Sequence, residues 1–249
     1  MGNKGKYNIL ITLNSSYFDY GKVLIKSLLD KNDMENVRNV FISDIGLEDE
    51  HKDYFTSLDD KITILDFGST AEFGGTFGEG WQFAVASKTI TLLTILERFE
   101  DDVMMIDSDC MIMNPLSELI SKEHIQVCNR QTENKQVPFL ASYIYIRNTD
   151  VGKEFVSEWI NELENSTYSG PRESPALSRI VKTFNQDYIK HIDRVLVSCY
   201  RKEEFINQTR EPYIIHFKGS SKSKTLDEDK QKRLYGKHGF YNEVQNYLD

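Results

Sequence analysis

The chain has 249 residues, of which 39% are apolar and 28% are charged. This length can bury a substantial core without disulfides or a structural metal, and the composition excludes a disordered chain, a collagen-like rod and a coiled coil. The net charge is −9, from 30 basic and 39 acidic residues. Because a nucleic-acid binder needs a basic face to release counterions, we expect no nucleic acid as the main partner.

Three widely spaced cysteines, Cys110, Cys128 and Cys199, form no CxxC pair. This usage favours reduced thiols in a cytoplasmic protein over a disulfide framework or a zinc knuckle. The first residues lack an apolar signal core, and no apolar run approaches the roughly 20 residues of a membrane-spanning helix. The charged tail at 218–249 leaves a peripheral contact with a membrane or an anionic acceptor open, but its interleaved acidic residues favour a solvated helix.

The first third of the chain alternates short apolar runs with segments of helical spacing. The pattern predicts strands at 8–13, 39–43 and 61–67, and helices at 20–31 and 48–57. This β-α-β-α-β order is typical of an open, largely parallel sheet. The Gly-rich stretch that follows, at 68–80, predicts a long loop, which either folds over a bound ligand or lies on the surface.

The rest of the chain is less regular, but it contains the most continuous apolar strand. We predict helices at 83–99, 151–163 and 174–184, and strands at 102–106, 125–128, 142–146 and 213–217. The apolar run within 102–106 predicts a central strand that is buried on both faces. No internal repeat and no domain linker are evident, so we predict a single domain over residues 1–249.

Two carboxylates, Asp107 and Asp109, follow this central strand directly and are separated by Ser108. Residues i and i+2 of an extended segment point to the same side, so both carboxylates face one point at the carboxyl end of the strand, where open α/β sheets bind ligands. A divalent cation that carries a diphosphate would relieve their repulsion. The same pattern also fits a solvated turn that closes a strand.

Other polar residues near predicted strand ends suit the same chemistry. His216 ends the last strand and, with carboxylates, suits Mn²⁺ better than Mg²⁺, while Lys218 beside the flexible Gly219 can approach a phosphate. Lys88 lies among small and apolar neighbours, which favours a cation at the buried edge of the site. The turn Asn14-Ser15-Ser16-Tyr17 after the first strand suits a base and a ribose. A surface histidine, a solvated lysine and a simple turn are the alternative interpretations.

Taken together, these segments resemble a family 8-type nucleotide-sugar glycosyltransferase with the GT-A fold. Residues 8–29 (NILITLNSSYFDYGKVLIKSLL) resemble the opening strand, nucleotide-binding turn and first helix of that family. Residues 103–119 (VMMIDSDCMIMNPLSEL) resemble its DxD strand and the segment after it, and residues 142–148 resemble its acceptor-side strand. Residues 216–219 resemble its closing His-x-x-Gly element.

The resemblance implies an α/β GT-A fold, with an open, mixed, mostly parallel sheet flanked by helices. It implies a Rossmann-like nucleotide-binding half at 1–120 and a smaller acceptor-side half, with the C-terminal tail, at 121–249. The activity implied is a metal-dependent transfer of a sugar, with retention of configuration, from a nucleotide-diphosphate sugar to a glycan or other hydroxyl acceptor. A UDP-sugar is the favoured donor.

The resemblance also implies roles for individual residues. Asp107, Asp109 and His216 would bind Mn²⁺, with Mg²⁺ as the second choice. Lys88, which stands where the family commonly has an arginine, and Glu173 would be catalytic. The residues implied to bind the nucleotide-sugar are Leu13, Asn14, Ser15, Ser16, Tyr17, Lys88, Asp107, Ser108, Lys218 and Gly219.

Two other functions fit parts of the pattern. One is a nucleotide-sugar-binding protein that keeps the pocket but lacks turnover. The other is an aspartyl phosphatase, which also places a DxD pair after a strand. That chemistry usually starts near the N-terminus and has Thr or Val two residues later, whereas Asp107 lies in mid-chain and Cys110 follows the pair. The transferase is therefore the favoured interpretation.

Overall fold

The structure is a computed structural model, and it describes residues 6–66, 79–130, 135–165, 173–205, 211–217, 232 and 235–248, with side chains between 79 and 85 left out. The strands in these ranges are Tyr7–Leu13 (β1), Val37–Asp44 (β2), Ile62–Asp66 (β3), Asp102–Ile106 (β4), Cys110–Ile112 (β5), Ile125–Asn129 (β6), Phe139–Ile146 (β7), Ile189–Asp193 (β8) and Ile214–His216 (β9). The helices are Phe18–Lys31 (α1), Asp49–Thr56 (α2), Glu79–Arg98 (α3), Asp150–Asn165 (α4), Glu173–Thr183 (α5), Arg194–Val197 (α6) and Tyr241–Leu248 (α7).

Seven strands form one sheet in the order β3-β2-β1-β4-β7-β6-β8. The strands β3, β2, β1 and β4 are parallel to one another, whereas β7 runs antiparallel to both of its neighbours, β4 and β6. The outer strand β8 is parallel to β6. The prediction of an open, mixed, mostly parallel sheet flanked by helices is therefore confirmed. The division into halves at residue 120 stays a prediction.

Helices cover both faces of the sheet, which explains why its central strands are apolar on both sides. In β1, Ile9 and Ile11 belong to a buried cluster with residues of α1 and α2, whereas Leu10 belongs to a second cluster with residues of α3, α4 and α5. The strand β4 behaves in the same way, with Val103 and Met104 fully buried in different clusters. The predicted burial of this strand on both faces is confirmed.

Several boundaries differ from the sequence-based expectations. The helix α3 begins at Glu79, so Gly80, predicted to lie in the Gly-rich loop, is helical. The remainder of that loop, at 67–78, lies outside the described residues. The prediction missed β5, β8 and α6, because β5 has three residues and α6 has four, too few for a periodic signal. The helix α6 follows β8 directly. Its N-cap is Asp193, whose side chain accepts a hydrogen bond from the N–H of Val195.

The tail was expected to form a solvated helix, and its described part, 235–248, is packed instead. Val244 and Tyr247 of α7 are buried in a third apolar cluster, together with Tyr20 of α1 and Phe217 beside β9. This cluster supports β9 from behind. No helix among the described residues is long and apolar enough to cross a membrane.

Gly152, near the start of α4, has no room for a side chain. A Cβ added there would lie 2.1 Å from the backbone oxygen of Arg147 and 2.8 Å from the side chain of Ile146. We expect Gly152→Ala to lower the free energy of unfolding by about 1–3 kcal/mol, as measured by urea denaturation. Gly236→Ala is the matched control, because a Cβ at Gly236 meets nothing within 4 Å. Equal stability of the two variants would contradict this expectation.

Candidate active site

The DxD segment lies where β4 leaves the sheet and the chain turns into β5. The backbone N–H of Asp107 donates to the carbonyl of Ser142 on β7 (3.0 Å), which fixes the exit from the sheet. The carbonyl of Asp109 accepts from the N–H of Phe217 (2.8 Å), and β9 pairs with β5 so that His216 lies opposite Cys110. The backbone pairing of two short strands therefore carries His216 to the carboxylates.

The imidazole of His216 faces both carboxylates. Its Nε2 lies 3.1 Å from Asp109 Oδ1 and 3.8 Å from Asp107 Oδ2, and the ring is buried. Burial opposes ionisation of Asp109, but the charge and hydrogen bond of His216 hold the pKa of this carboxyl below its usual range. The structure thus brings together Asp107, Asp109 and His216, the three residues predicted to bind a metal.

The donor set of this cluster suits a divalent cation. Ligand atoms of Asp109, Cys110 and His216 all lie within 4.8 Å of one another. Burial, followed by the charges of the two aspartates, raises the pKa of the Cys110 thiol well above its usual value. Asp109 and His216 remain from this group, and Asp107 Oδ2 lies 3.8 Å from the same ring nitrogen, so two carboxylates and one imidazole are available to a divalent cation.

Lys88 of α3 is a buried cation at the same edge of the sheet. Its Nζ forms ion pairs with Asp107 and with Glu173 Oε1, the latter at 2.8 Å, and donates to the carbonyl of Ala141 (3.1 Å). Burial alone would lower the pKa of Lys88, but the two carboxylates hold it above its usual value. The structure therefore places Lys88, which is 5% exposed, where the sequence predicted a cation.

Glu173, the first residue of α5, completes this ion cluster. Burial raises the pKa of Glu173 to about 7, the ammonium of Lys88 opposes that rise, and Asp107 adds to it. Burial thus favours the neutral form of Glu173, whereas the two carboxylates keep Lys88 charged. The indole of Trp159 donates to the backbone oxygen of Glu173 (3.4 Å), which anchors the start of α5.

In the turn after β1, the side chains of Asn14 and Ser15 form hydrogen bonds that stabilise the turn. Asn14 Oδ1 accepts from the N–H of Tyr17 (3.2 Å), and Ser15 Oγ accepts from the N–H of Glu48 (2.7 Å) and bonds to Nδ1 of His51 (2.9 Å). The side chain of Leu13 lies wholly in the core, so only its backbone could meet a ligand.

Tyr17 is the part of this turn that reaches toward the carboxylates. The residue is 40% exposed, and its ring lies 5.5 Å from the ring of Tyr20, centroid to centroid. Partial burial of the phenol, followed by the charges of Asp109 and Asp107, raises the pKa of Tyr17 to about 12.

Four other residues were predicted to bind the nucleotide-sugar. Ser16 and Ser108 are half-buried, and the predicted phosphate ligands Lys218 and Gly219 lie outside the described residues.

Asp44, at the carboxyl end of β2, supports the turn after β1. The sequence analysis did not identify this residue. Its Oδ1 accepts from the N–H groups of Gly46 (2.8 Å) and Leu47 (2.7 Å), and its Oδ2 pairs with Lys52 Nζ (2.8 Å). The carbonyl of Gly46 in turn accepts from the N–H of Ser15 (3.0 Å). A signal was available, since an aspartate before glycine is typical of such a turn.

The pH dependence of stability should report on Asp44. Burial would raise its pKa, but the N–H of Leu47, the ammonium of Lys52 and the N–H of Gly46 hold it below its usual value. A lowered folded-state pKa stabilises the fold above the unfolded-state value, and this contribution is lost as the pH falls through the folded pKa. We expect Asp44→Ala to cost about 2–3 kcal/mol near neutral pH, as measured by urea unfolding. The difference from wild type should shrink below about pH 4, and a constant difference would contradict the assignment.

Comparison with known proteins rests on structure alone. No family model matches the chain, and no curated protein matches its sequence. Among solved structures, the galactosyltransferase LgtC, in complex with donor and acceptor sugar analogs, is 14% identical with a TM-score of 0.60, over 96% of this chain and 95% of that one.

Two longer proteins give similar values. The apo form of the glycosyltransferase GlyE from Streptococcus pneumoniae TIGR4 is 15% identical with a TM-score of 0.62, over 98% of this chain and 60% of that one. The bifunctional glycosyltransferase WbbM is 15% identical with a TM-score of 0.60, over 99% of this chain and 52% of that one. The chain thus spans between half and two thirds of these two proteins. At such identities the likeness is one of fold, and the chain has the GT-A fold of these glycosyltransferases.

Proposed function

We propose that the protein is a metal-dependent glycosyltransferase that moves a sugar from a nucleotide-diphosphate sugar to a glycan or other hydroxyl acceptor. The observation that carries the proposal is the meeting of two carboxylates, an imidazole and a buried lysine at the carboxyl edge of a sheet with this fold. The buried lysine supports the proposal too. Because the chain has a net charge of −9, it needs local positive charge to attract an anionic donor.

Asp107, Asp109 and His216 would hold the cation, with Mn²⁺ favoured and Mg²⁺ as the second choice. The bound ion would act as a Lewis acid toward the diphosphate that leaves. Lys88 adds a second fixed positive charge, which is already oriented by Glu173 and Ala141 before the donor arrives. Such preorganised charge stabilises the leaving group without reorganisation during the reaction.

The transfer is proposed to retain configuration by attack on the same face of the sugar. The bond between the anomeric carbon and the phosphate oxygen breaks, a bond to the acceptor oxygen forms, and the acceptor proton passes to the departing phosphate oxygen. A double displacement would instead need a free carboxylate as nucleophile. Glu173 and Asp107 are both paired with Lys88, which makes them poor nucleophiles. Glu173 instead stabilises positive charge on the sugar or orients the acceptor hydroxyl.

The turn after β1 is proposed to receive the nucleoside. The exposed aromatic ring of Tyr17 suits stacking on a base, and Ser16 precedes it in the chain. Asn14 stands where the family often has an aspartate, and its Oδ1 is already used in the turn, so a UDP-sugar is favoured as donor on resemblance alone. Lys218 and Gly219 are proposed to hold phosphate oxygens, and a cytoplasmic location is proposed from the reduced cysteines.

Thermal denaturation with candidate nucleotides tests the proposal. We expect UDP or GDP to raise the Tm only when Mn²⁺ is present, because binding to the folded state stabilises it by linkage, and we expect EDTA to reverse the shift. Sugar transfer from the matching nucleotide-sugar should then be detected with an acceptor panel. An equal shift without metal would contradict the proposed site. Donor binding without transfer or hydrolysis would favour the non-catalytic alternative, and phosphate release from simple phosphomonoesters would favour the phosphatase.

A further inference from the structure

The carboxyl edge of the sheet carries opposite charges in its two halves. The strands β4, β6 and β8 are parallel to one another, because β7 runs antiparallel to both β4 and β6, and β8 is parallel to β6. The residues that directly follow these three strands are Asp107, Arg130 and Arg194, so all three leave the sheet at the same edge. The acidic pair thus follows β4, whereas arginines follow β6 and β8, on the far side of β7.

The ring of Tyr200 connects this basic half of the edge to the proposed metal site. Its centroid lies 4.3 Å from Arg194 Cζ and 5.7 Å from the centroid of the His216 imidazole. Burial raises the pKa of Tyr200 to about 12, and the charges of Arg194 and Arg130 oppose that rise. Both guanidinium groups therefore act on a ring that lies next to the imidazole.

Arg194 already has a carboxylate partner, whereas Arg130 is available to a ligand. Arg194 Nη1 pairs with Glu204 Oε2 (2.9 Å) and donates to the carbonyl of Ser198 (3.2 Å). Arg130 is half-buried, and no carboxylate of the described residues forms an ion pair with it. Its Nε donates to the carbonyl of Val137 (2.9 Å), which orients the side chain and leaves both terminal nitrogens for a second partner.

Two exposed cations, Arg201 and Lys237, extend the basic half. Nδ1 of His238 donates to the carbonyl of Tyr200, so Arg201 and Lys237, which adjoin these two residues in the chain, lie near each other. Burial lowers the pKa of His238, and the charges of Lys237 and Arg201 lower it further. Within the described part of the chain, neither cation forms an ion pair with a carboxylate.

This arrangement suits an anionic group on the ligand. The terminal nitrogens of an arginine can bind a carboxylate or a phosphate through two parallel hydrogen bonds. A chain with a net charge of −9 repels anions in general, so unpaired cations beside the site are needed to hold one there. Lys88 does not serve this purpose, because Asp107 and Glu173 already pair with it.

We propose that the acceptor is a saccharide with an anionic group, either a carboxylate or a phosphate, and that Arg130 binds this group and so determines acceptor specificity. This inference rests on the proposed function and names the substrate class of the same site. The acceptor hydroxyl then lies beside the metal half, where the diphosphate leaves, and the anionic group lies over the ends of β6 and β8. Because like charges repel, this separation favours binding of both substrates at once.

Pairs of acceptors that differ by one anionic group test this inference. The pairs are methyl glucoside with methyl glucuronide, methyl galactoside with methyl galacturonide, and glucose with glucose 6-phosphate. Calorimetric titrations use the full chain with Mn²⁺ and UDP bound, so that the donor site is occupied. We expect the anionic member of at least one pair to bind about 10-fold or more tightly than its neutral partner. If no anionic member binds more tightly than its partner, the inference is wrong.

Substitution of Arg130 separates its role from that of the cation, which also attracts anions. We expect Arg130→Gln to lower the preference for the anionic member by about 10- to 100-fold, and Arg130→Lys to retain part of it. Arg38→Gln is the matched control, because Arg38 lies near the amino end of β2, at the opposite edge of the sheet, and pairs with Asp101 (3.0 Å). This control should keep the full preference.

The outcomes distinguish this inference from the proposed function. A preference for the anion that is unchanged in Arg130→Gln would place the anion elsewhere and overturn the inference. Transfer of sugar to neutral acceptors alone would also overturn it and would leave the proposed function intact. Failure of the wild-type protein to bind any nucleoside diphosphate with Mn²⁺ would overturn both.

Discussion

Asp109→Ala is expected to abolish the Mn²⁺-dependent rise in Tm that a nucleoside diphosphate produces. It is also expected to lower sugar transfer by at least about 100-fold, since a catalytic metal supplies several kcal/mol of charge stabilisation. Asp109 is central to the cluster, with Oδ1 only 3.1 Å from His216 Nε2 and its side chain 16% exposed. Thermal scans with and without Mn²⁺, followed by transfer assays, measure both effects.

Glu50→Ala is the matched control for that experiment. Glu50 belongs to the second acid-and-histidine group among the described residues, with Glu48 and His51, whose ligand atoms also lie within 4.8 Å of one another. Because Glu48 and Glu50 are exposed, we expect this variant to keep the full Mn²⁺-dependent shift. If the Mn²⁺-dependent rise in Tm is kept in Asp109→Ala but lost in Glu50→Ala, the metal binds at the second group instead.

Lys88→Met is expected to damage both stability and transfer. It leaves Asp107 and Glu173 facing each other without the ammonium that pairs with both, and these side chains are only 27% and 14% exposed. Removing one partner of a buried ion pair costs about 3–5 kcal/mol, which urea denaturation would measure. Transfer should fall by about 100-fold or more, because a fixed charge beside the leaving group is lost.

A second substitution separates these two effects. In the double variant Lys88→Met with Glu173→Gln, one uncompensated carboxylate is removed, so we expect part of the lost free energy of unfolding to return. Transfer should stay low, because the positive charge is still absent. Recovery of transfer together with stability would show that Lys88 acts only by holding the fold, and would remove it from the proposed chemistry.

The fold could be predicted to a large extent because its signals are local. A parallel sheet is indicated by the apolar runs at β1, β2, β3 and β4 and by the helical spacing between them. The predicted position of the DxD pair, directly after β4, is confirmed. The short elements could not be predicted in this way. The strand β5 is defined by its partner β9 rather than by its own three residues.

The candidate site was only partly visible in the sequence. The pattern of Asp107 and Asp109 predicted where they lie, and the small neighbours of Lys88 indicated its burial. The ion pair of Lys88 with Glu173, however, depends on how α5 packs beside β7, which no local pattern encodes.

The pairing of β9 with β5 sets an order of events for a polypeptide leaving the ribosome. The parallel strands β2 and β4, which flank β1, can pair with it early, whereas the imidazole arrives only after residue 216 has been synthesised. The acidic pair of a nascent chain therefore has no imidazole from β9 beside it until β9 has been synthesised and has paired with β5. The proposed ion site is therefore complete only when these two short strands have paired.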